Sequence, residues 1–227
     1  LTVLASIPLI VSSRNPHKLA ELTRLLAPLG LDIRSAEDAG VPDVEETGST
    51  YLDNAVLKAV AAWDTVGGAW CLADDSGLAV DFLDGGPGVY SARFAGEDVT
   101  YADNNALLLE TMKDVPTPAR GAAFVCTLAL LVPRACPGAL ADPGWSPVFG
   151  HPDLPVDATA YAIEGRIRGE ITREPGGEGG FGYDPLFYVA SEGMTFAELT
   201  PDRKNAISHR GVALRHLERC IAAIRAG

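Results

Sequence analysis

The chain has 227 residues, 47% of them hydrophobic, enough to bury a sizeable core and too apolar for a disordered polymer. A formal net charge of −12 repels a polynucleotide backbone, so a small anion is bound only where a few cations converge or a divalent metal screens it. The 24 glycines and 16 prolines follow no fixed period, which weighs against a solenoid.

Ile7 to Val11 is a short apolar run closed by Ser12, Ser13 and Arg14, the pattern of a buried strand ending in a polar loop. Asn15 stands as an N-cap with Pro16 at the first helical position, and Leu19, Leu22, Leu25, Leu26 and Leu29 recur at helical spacing until Gly30. Leu31 to Ile33 is the next expected strand. Thr50 and Asp53 pair as a capping box at the head of a second helix, with Leu52, Val56, Val60 and Trp63 on one face. After the Gly67-Gly68 break, Trp70 to Ala73 reads as a strand, Asp74-Asp75-Ser76-Gly77 as an acidic turn, and Leu78 to Phe82 as another strand. Thr100 and Asp103 open a third helix that runs through Met112.

Ala122, Phe124, Cys126, Leu128 and Leu130 alternate with other apolar residues, which predicts a strand buried on both faces. Residues 133–157 hold six prolines and no helical period, so they read as an extended surface insertion. Ala158 to Arg168 returns to strand character. A final helix from about Ser208 to Arg225 carries Leu214, Leu217, Ile221 and Ile224 as its buried stripe. The order predicts an α/β fold, a mixed β-sheet flanked by helices, in a single domain over residues 1–227. Cys71, Cys126, Cys136 and Cys220 form no C-x-x-C pair and no cluster with His, and they read as thiols of a reducing cytoplasm. The apolar start Leu1 to Val11 lacks a basic leader and is too short to span a bilayer, so no signal peptide and no membrane partner are expected.

Four segments carry chemistry. Ser13-Arg14-Asn15-Pro16-His17-Lys18 joins a strand to a helix, where unpaired N–H groups and the positive helix end suit a phosphate and Lys18 adds a point charge. In Asp74-Asp75-Ser76-Gly77, one carboxylate is expected to face a site while the other braces the chain. With Glu45 and Glu46 from another loop, they offer the oxygen ligands that magnesium prefers. Gly176 to Pro185 lacks the helix of a dinucleotide fingerprint, but its glycines permit close backbone approach and Phe181 could stack on a planar base. Lys204, His209 and Arg210 stand near the expected start of the last helix, where the dipole disfavours cations unless an anion is present. Each segment alone also reads blandly, as a capped helix, an acidic turn, a hairpin turn or a solvated basic turn.

Together with Gly86-Pro87-Gly88-Val89-Tyr90-Ser91-Ala92-Arg93-Phe94 and Ser208-His209-Arg210-Gly211, these segments closely resemble, in order and spacing, the inosine/xanthosine triphosphate pyrophosphatases, the Ham1-like enzymes. The resemblance implies an elongated mixed sheet with helices on both sides, two lobes around a central active-site cleft, and a homodimer. It implies hydrolysis of ITP, dITP or XTP to the monophosphate and pyrophosphate with magnesium (Mg2+). By residue it implies Asp75 as general base, Glu45 and Asp75 as magnesium ligands, and Ser13, Arg14, Asn15, Pro16, His17 and Lys18 as the phosphate loop. Ser76 is then a substrate contact, and Phe181, Gly182, Tyr183, Asp184, Lys204, His209 and Arg210 belong to the nucleotide and base pocket. Two features depart from the resemblance: Arg14 stands where many members have a small residue, and residues 133–157 are longer than in compact bacterial relatives. A Maf-like pyrophosphatase for pyrimidine or modified nucleotides is the enzymatic alternative, against which Ser208-His209-Arg210 speaks. A catalytically silent nucleotide-binding protein is the other, against which Asp75 and Glu45 speak.

Overall fold

The computed structural model describes residues 8–134 and 144–226, with side chains as far as residue 223. Ile7, Cys136 and the side chain of Ile224 lie outside the described residues, as does the middle of the proline-rich stretch. In chain order the elements are β1 (Pro8–Ser12), α1 (Pro16–Leu26), β2 (Asp32–Ser35), α2 (Tyr51–Val66), β3 (Trp70–Val80), α3 (Tyr101–Thr111), β4 (Gly121–Pro133), β5 (Trp145–Val148), β6 (Ala158–Ile171), β7 (Phe187–Val189), β8 (Met194–Thr195), α4 (Pro201–Ile207) and α5 (His209–Ala226). The sheet order is β2-β1-β3-β4-β6-β7-β8, with β5 also on β6. Strand β1 is parallel to β2 and β3, whereas β5, β6, β7 and β8 pair antiparallel, so the sheet is mixed.

The chain forms two compact units, the first comprising residues 1–75, 126–165 and 210–227, the second 76–125 and 166–209. In the first, strand alternation sends Leu9, Val11, Leu72, Leu128 and Leu130 to one face, where Leu22 and Leu26 of α1 and Leu214 and Leu217 of α5 cover them. Ile10, Cys71, Ala73, Ala129 and Leu131 point the other way, onto Ala55, Val56, Ala59, Ala62 and Trp63 of α2. These alanines let the α2 backbone approach the sheet closely, and they displace the expected stripe: Leu52 and Val60 are only partly buried. In the second unit Leu78, Val80, Phe124, Phe187 and Phe196 pack with Leu108 and Met112, and the Phe124 ring lies parallel to Phe196 with centroids 5.7 Å apart. Arg120 is buried there because its guanidinium is spent on the carbonyls of Met112, Ile171 and Thr172.

Three local expectations need correcting. Asp74 to Gly77 is not a turn: β3 runs unbroken to Val80, and Asp81–Leu83 is a 3₁₀ turn rather than strand. The stretch 133–157 contains β5, in which Trp145 is buried and Val148 packs towards α2, while Phe149 and Val156 are exposed. Pro147 is tolerated because β5 pairs only with β6 among the described strands, so the missing N–H breaks no second ladder. Lys204 does not stand at the start of the last helix, α5, but in the separate helix α4, because Ser208 is extended (φ −64°, ψ 160°) between the two.

Candidate active site

In the first unit the site begins at the head of α1. Asn15 Oδ1 accepts from the backbone N–H groups of His17 and Lys18, Pro16 opens the helix, and its first turn holds no acid, which leaves the helix end positive. Ser13 is half-buried, and Pro16 and His17 are exposed. Lys18 Nζ lies 3.2 Å from Asp74 Oδ1. Arg14 turns aside, donating to the Val41 carbonyl at 2.9 Å and pairing with Asp43 at 3.1 Å, so it ties the loop to residues 41–43.

Asp74 and Asp75 are neighbours in β3 with opposite surroundings. Asp74 is wholly buried; burial disfavours its charge, but Lys18, Arg210 and Lys58 outweigh that and hold it well below the usual carboxylate range. Arg210 Nε and Nη2 lie 3.4 and 3.3 Å from Asp74 Oδ2, and Arg210 also bonds Glu21. Asp75 is pushed up by burial and by Glu46, with Lys58 and Lys18 opposing. Its Oδ1 accepts from Lys58 Nζ at 3.1 Å and its Oδ2 from Asn54 Nδ2 at 3.4 Å. Lys58 Nζ also reaches Glu46 Oε1 at 2.7 Å, so two carboxylates converge on one cation. The structure thus places Glu46 beside Asp75, while Glu45 is exposed.

Asn54 Oδ1 accepts from Gly48 N at 2.7 Å, which ties the Glu46 loop to α2. A Cβ on Gly48 would come within 2.5 Å of Asp53 Cβ and 2.6 Å of Asn54 Oδ1. Gly48→Ala is therefore expected to cost about 1–3 kcal/mol by overpacking, read from urea denaturation; an unchanged midpoint would mean the loop has slack.

In the second unit Ser76, Leu78, Tyr101, Phe181, Lys204 and His209 help line a pocket of about 40 Å³. Asp184 Oδ2 accepts from Phe181 N at 2.7 Å and from Lys204 Nζ at 2.6 Å, so it braces both. The Lys204 ammonium lies 4.6 Å from the Phe181 ring centroid. Tyr183 OH donates to the Ser91 carbonyl at 2.9 Å, and the His209 ring stacks on Phe124 at 4.9 Å. The expected mismatch of cations with a helix N-terminus does not hold for Lys204, which sits in the last turn of α4. For Arg210 the compensating anions are the protein's own Asp74 and Glu21, and it does not line this pocket.

Sequence reasoning missed Lys58, Asn54 and Glu21. Lys58 falls four residues after Asn54 on α2, and that spacing is the only local signal that could have flagged it. Among the described residues, no group of three or more His, Cys, Asp or Glu side chains could hold a metal alone, and no helix is long and apolar enough to cross a membrane.

The Ham1 family model matches residues 9–220. The dITP/XTP pyrophosphatase of Escherichia coli (strain K12) is 48% identical over 208 residues, 92% of this chain and 94% of that protein. That of Exiguobacterium sibiricum is 46% identical over 211 residues, again 92% of this chain and 94% of that protein. Among solved structures, a HAM1 protein from Coxiella burnetii superposes with a TM-score of 0.77 at 39% identity, covering 95% of this chain and 98% of that one. A nucleoside-triphosphatase, the dITP/XTP pyrophosphatase of Mycobacterium abscessus, gives 0.67 at 43% identity, covering 93% and 98%. With one family model running from β1 to α5 and nearly the whole length aligned to these relatives, the chain belongs to the Ham1 family.

Proposed function

We propose that this chain hydrolyses non-canonical purine nucleoside triphosphates, ITP, dITP and XTP, to the monophosphate and pyrophosphate. The relatives' names supply the substrate class; the observation that carries the chemistry is the split pair Asp74 and Asp75. Two adjacent carboxylates whose surroundings push them in opposite directions suit two tasks. Asp74 is a fixed anion that positions Lys18, and Asp75 is the base that takes a proton from the water attacking the α-phosphorus. Lys18, the head of α1 and Lys58 grip the triphosphate, since phosphoryl chemistry is mainly positioning and charge neutralisation.

Asp75 and Glu46 fit magnesium: both offer hard oxygen donors, and their convergence on the Lys58 ammonium marks a place where a cation is stabilised. Two carboxylates, completed by substrate phosphate and water, are a usual protein share for this ion. When bound, the ion neutralises charge on the phosphate oxygens. Glu45, one residue away on the same loop, is the other candidate ligand. The base belongs to the second unit's pocket, where Lys204 is a pure donor; it matches the 6-oxo group of hypoxanthine or xanthine and opposes the 6-amino group of adenine. His209 is the second donor in that reading, and Arg210, committed to Asp74, is a brace instead. We further propose a homodimer working in the cytoplasm, where Cys71, Cys126 and Cys220 remain free thiols.

The test is pyrophosphate release from ITP, dITP, XTP, ATP and GTP, with magnesium and with EDTA. The expected kcat/KM for ITP and XTP exceeds that for ATP by at least about 10²-fold, and chelation abolishes turnover. Equal efficiencies across the panel would sink the base reading, and absence of pyrophosphate with every substrate would sink the enzyme.

A further inference from the structure

We propose, on the footing of this nucleotide reading, that Asn105 is a positioning residue for the base pocket, holding the Gly182 peptide, and with it the Phe181 ring, against α3. Tyr101 and Asn105 stand four residues apart on α3 and so share one of its faces. Asn105 Nδ2 donates to the Gly182 carbonyl at 3.0 Å. Gly182 has φ +66°, a left-handed conformation that favours glycine, and a Cβ there would meet the Tyr101 ring at 3.6 Å. Tyr101 itself meets the Phe181 ring edge-on, with centroids 6.4 Å apart and planes at 66°. One helical face thus backs the loop that presents Phe181.

Asn105 carries a cost that a purely structural residue would avoid. Its Oδ1 is buried and accepts no hydrogen bond among the described residues. A buried acceptor without a partner is unfavourable, and a leucine would fill similar volume without it. Turning the amide over gives no relief, because the Gly182 oxygen would then face a second acceptor. What asparagine keeps at this position is the single donor to Gly182. Its neighbour Asn104 shows the contrast: Oδ1 accepts from Ala95 N at 2.7 Å and Nδ2 donates to the Ala92 carbonyl at 3.0 Å, so both ends of that amide serve the fold. Without the Asn105 bond the Gly182 peptide, and with it the Phe181 ring, loses its tie to α3 even though Asp184 still accepts from Phe181 N, while Lys18, Lys58 and Asp75 of the first unit keep their partners.

Asn105→Leu and Asn105→Asp both delete the donor, and Asn105→Leu also deletes the unmatched acceptor. In both, KM for ITP is expected to rise about tenfold, the factor that one ordinary hydrogen bond sustains, while kcat moves by less than about twofold. The inhibition constant of inorganic tripolyphosphate, which carries no base, should not move, and Asn105→Leu should melt no lower than the unaltered chain. If the unaltered chain prefers ITP over ATP but KM is unmoved in the variants, the assignment of Asn105 alone is overturned. A tripolyphosphate constant that rises with KM, or a fall in kcat alone, overturns it too. If the unaltered chain shows no preference for ITP over ATP, the base reading fails, and the role of Asn105 with it.

Discussion

Asp75→Asn is expected to lower kcat on ITP by about 10³-fold, within the range that a positioned general base contributes, while tripolyphosphate still binds. The substitution keeps the size of the side chain and an oxygen to accept from Lys58, so Lys58 and Glu46 keep their places, and the 3.4 Å bond from Asn54 is lost because the new amide nitrogen faces a donor. What is lost is a lone pair basic enough to take a proton from water, together with one of the two carboxylates proposed to hold magnesium. Binding is expected to persist because Lys18 and the head of α1 are untouched, and removing a negative charge beside Lys58 frees that cation for phosphate. Single-turnover kinetics on ITP beside calorimetric titration with tripolyphosphate separates the two effects. Turnover within about tenfold of the unaltered chain would remove Asp75 from proton transfer.

Arg210→Met is expected to be among the most destabilising single changes in the first unit. The Arg210 and Asp74 side chains are 1% and 0% exposed, so removing the guanidinium leaves a buried carboxylate with Lys18 as its remaining close cation and costs about 3–5 kcal/mol. For a chain of this size that is roughly 6–20 °C in Tm by calorimetry. The sign of its pH dependence follows from the depressed titration of Asp74. The pair's contribution is fully present above the ordinary carboxylate value and is lost as pH falls towards the lower value held in the folded chain. In the variant, burial without Arg210 raises that value, so protonation relieves it. The Tm gap between the two proteins should therefore narrow below about pH 4. A gap that stays constant from neutral to acid pH would show that lost packing, and not the ion pair, accounts for the effect. Adding Asp74→Asn to Arg210→Met should recover part of the loss, because the wholly buried carboxylate is then gone.

Much of the architecture was legible because its causes are local. The capping boxes at Thr50 with Asp53 and Thr100 with Asp103 close within a single turn, and the Asn15 cap within three residues. The two-faced apolar run of β4 stated its own burial. Where the cause is distant, polarity misled. Asp74 and Asp75 look like a turn, yet they lie inside β3 because Arg210, Lys18 and Lys58 arrive to offset them, Arg210 from 136 residues away. Which of Glu45 and Glu46 meets Lys58 depends on the path of a loop that has no period to read. Lys204 and Arg210 look like one basic turn, but the extended Ser208 assigns one to the brace of Phe181 and the other to the brace of Asp74.

By itself the amino-acid order determined α1, α2, α3, α5 and the strands β1, β2, β4 and β6, the mixed α/β class and the short list of residue types able to handle a polyphosphate, since periodicity and capping act over a few bonds. Only the tertiary structure decided which of those charges pair with one another, and so which of the two carboxylates is held ionised by Lys18 and Arg210 and which is pushed up by burial. Burial and the approach of opposite charges are set by chain segments far apart in sequence, and those two quantities control protonation.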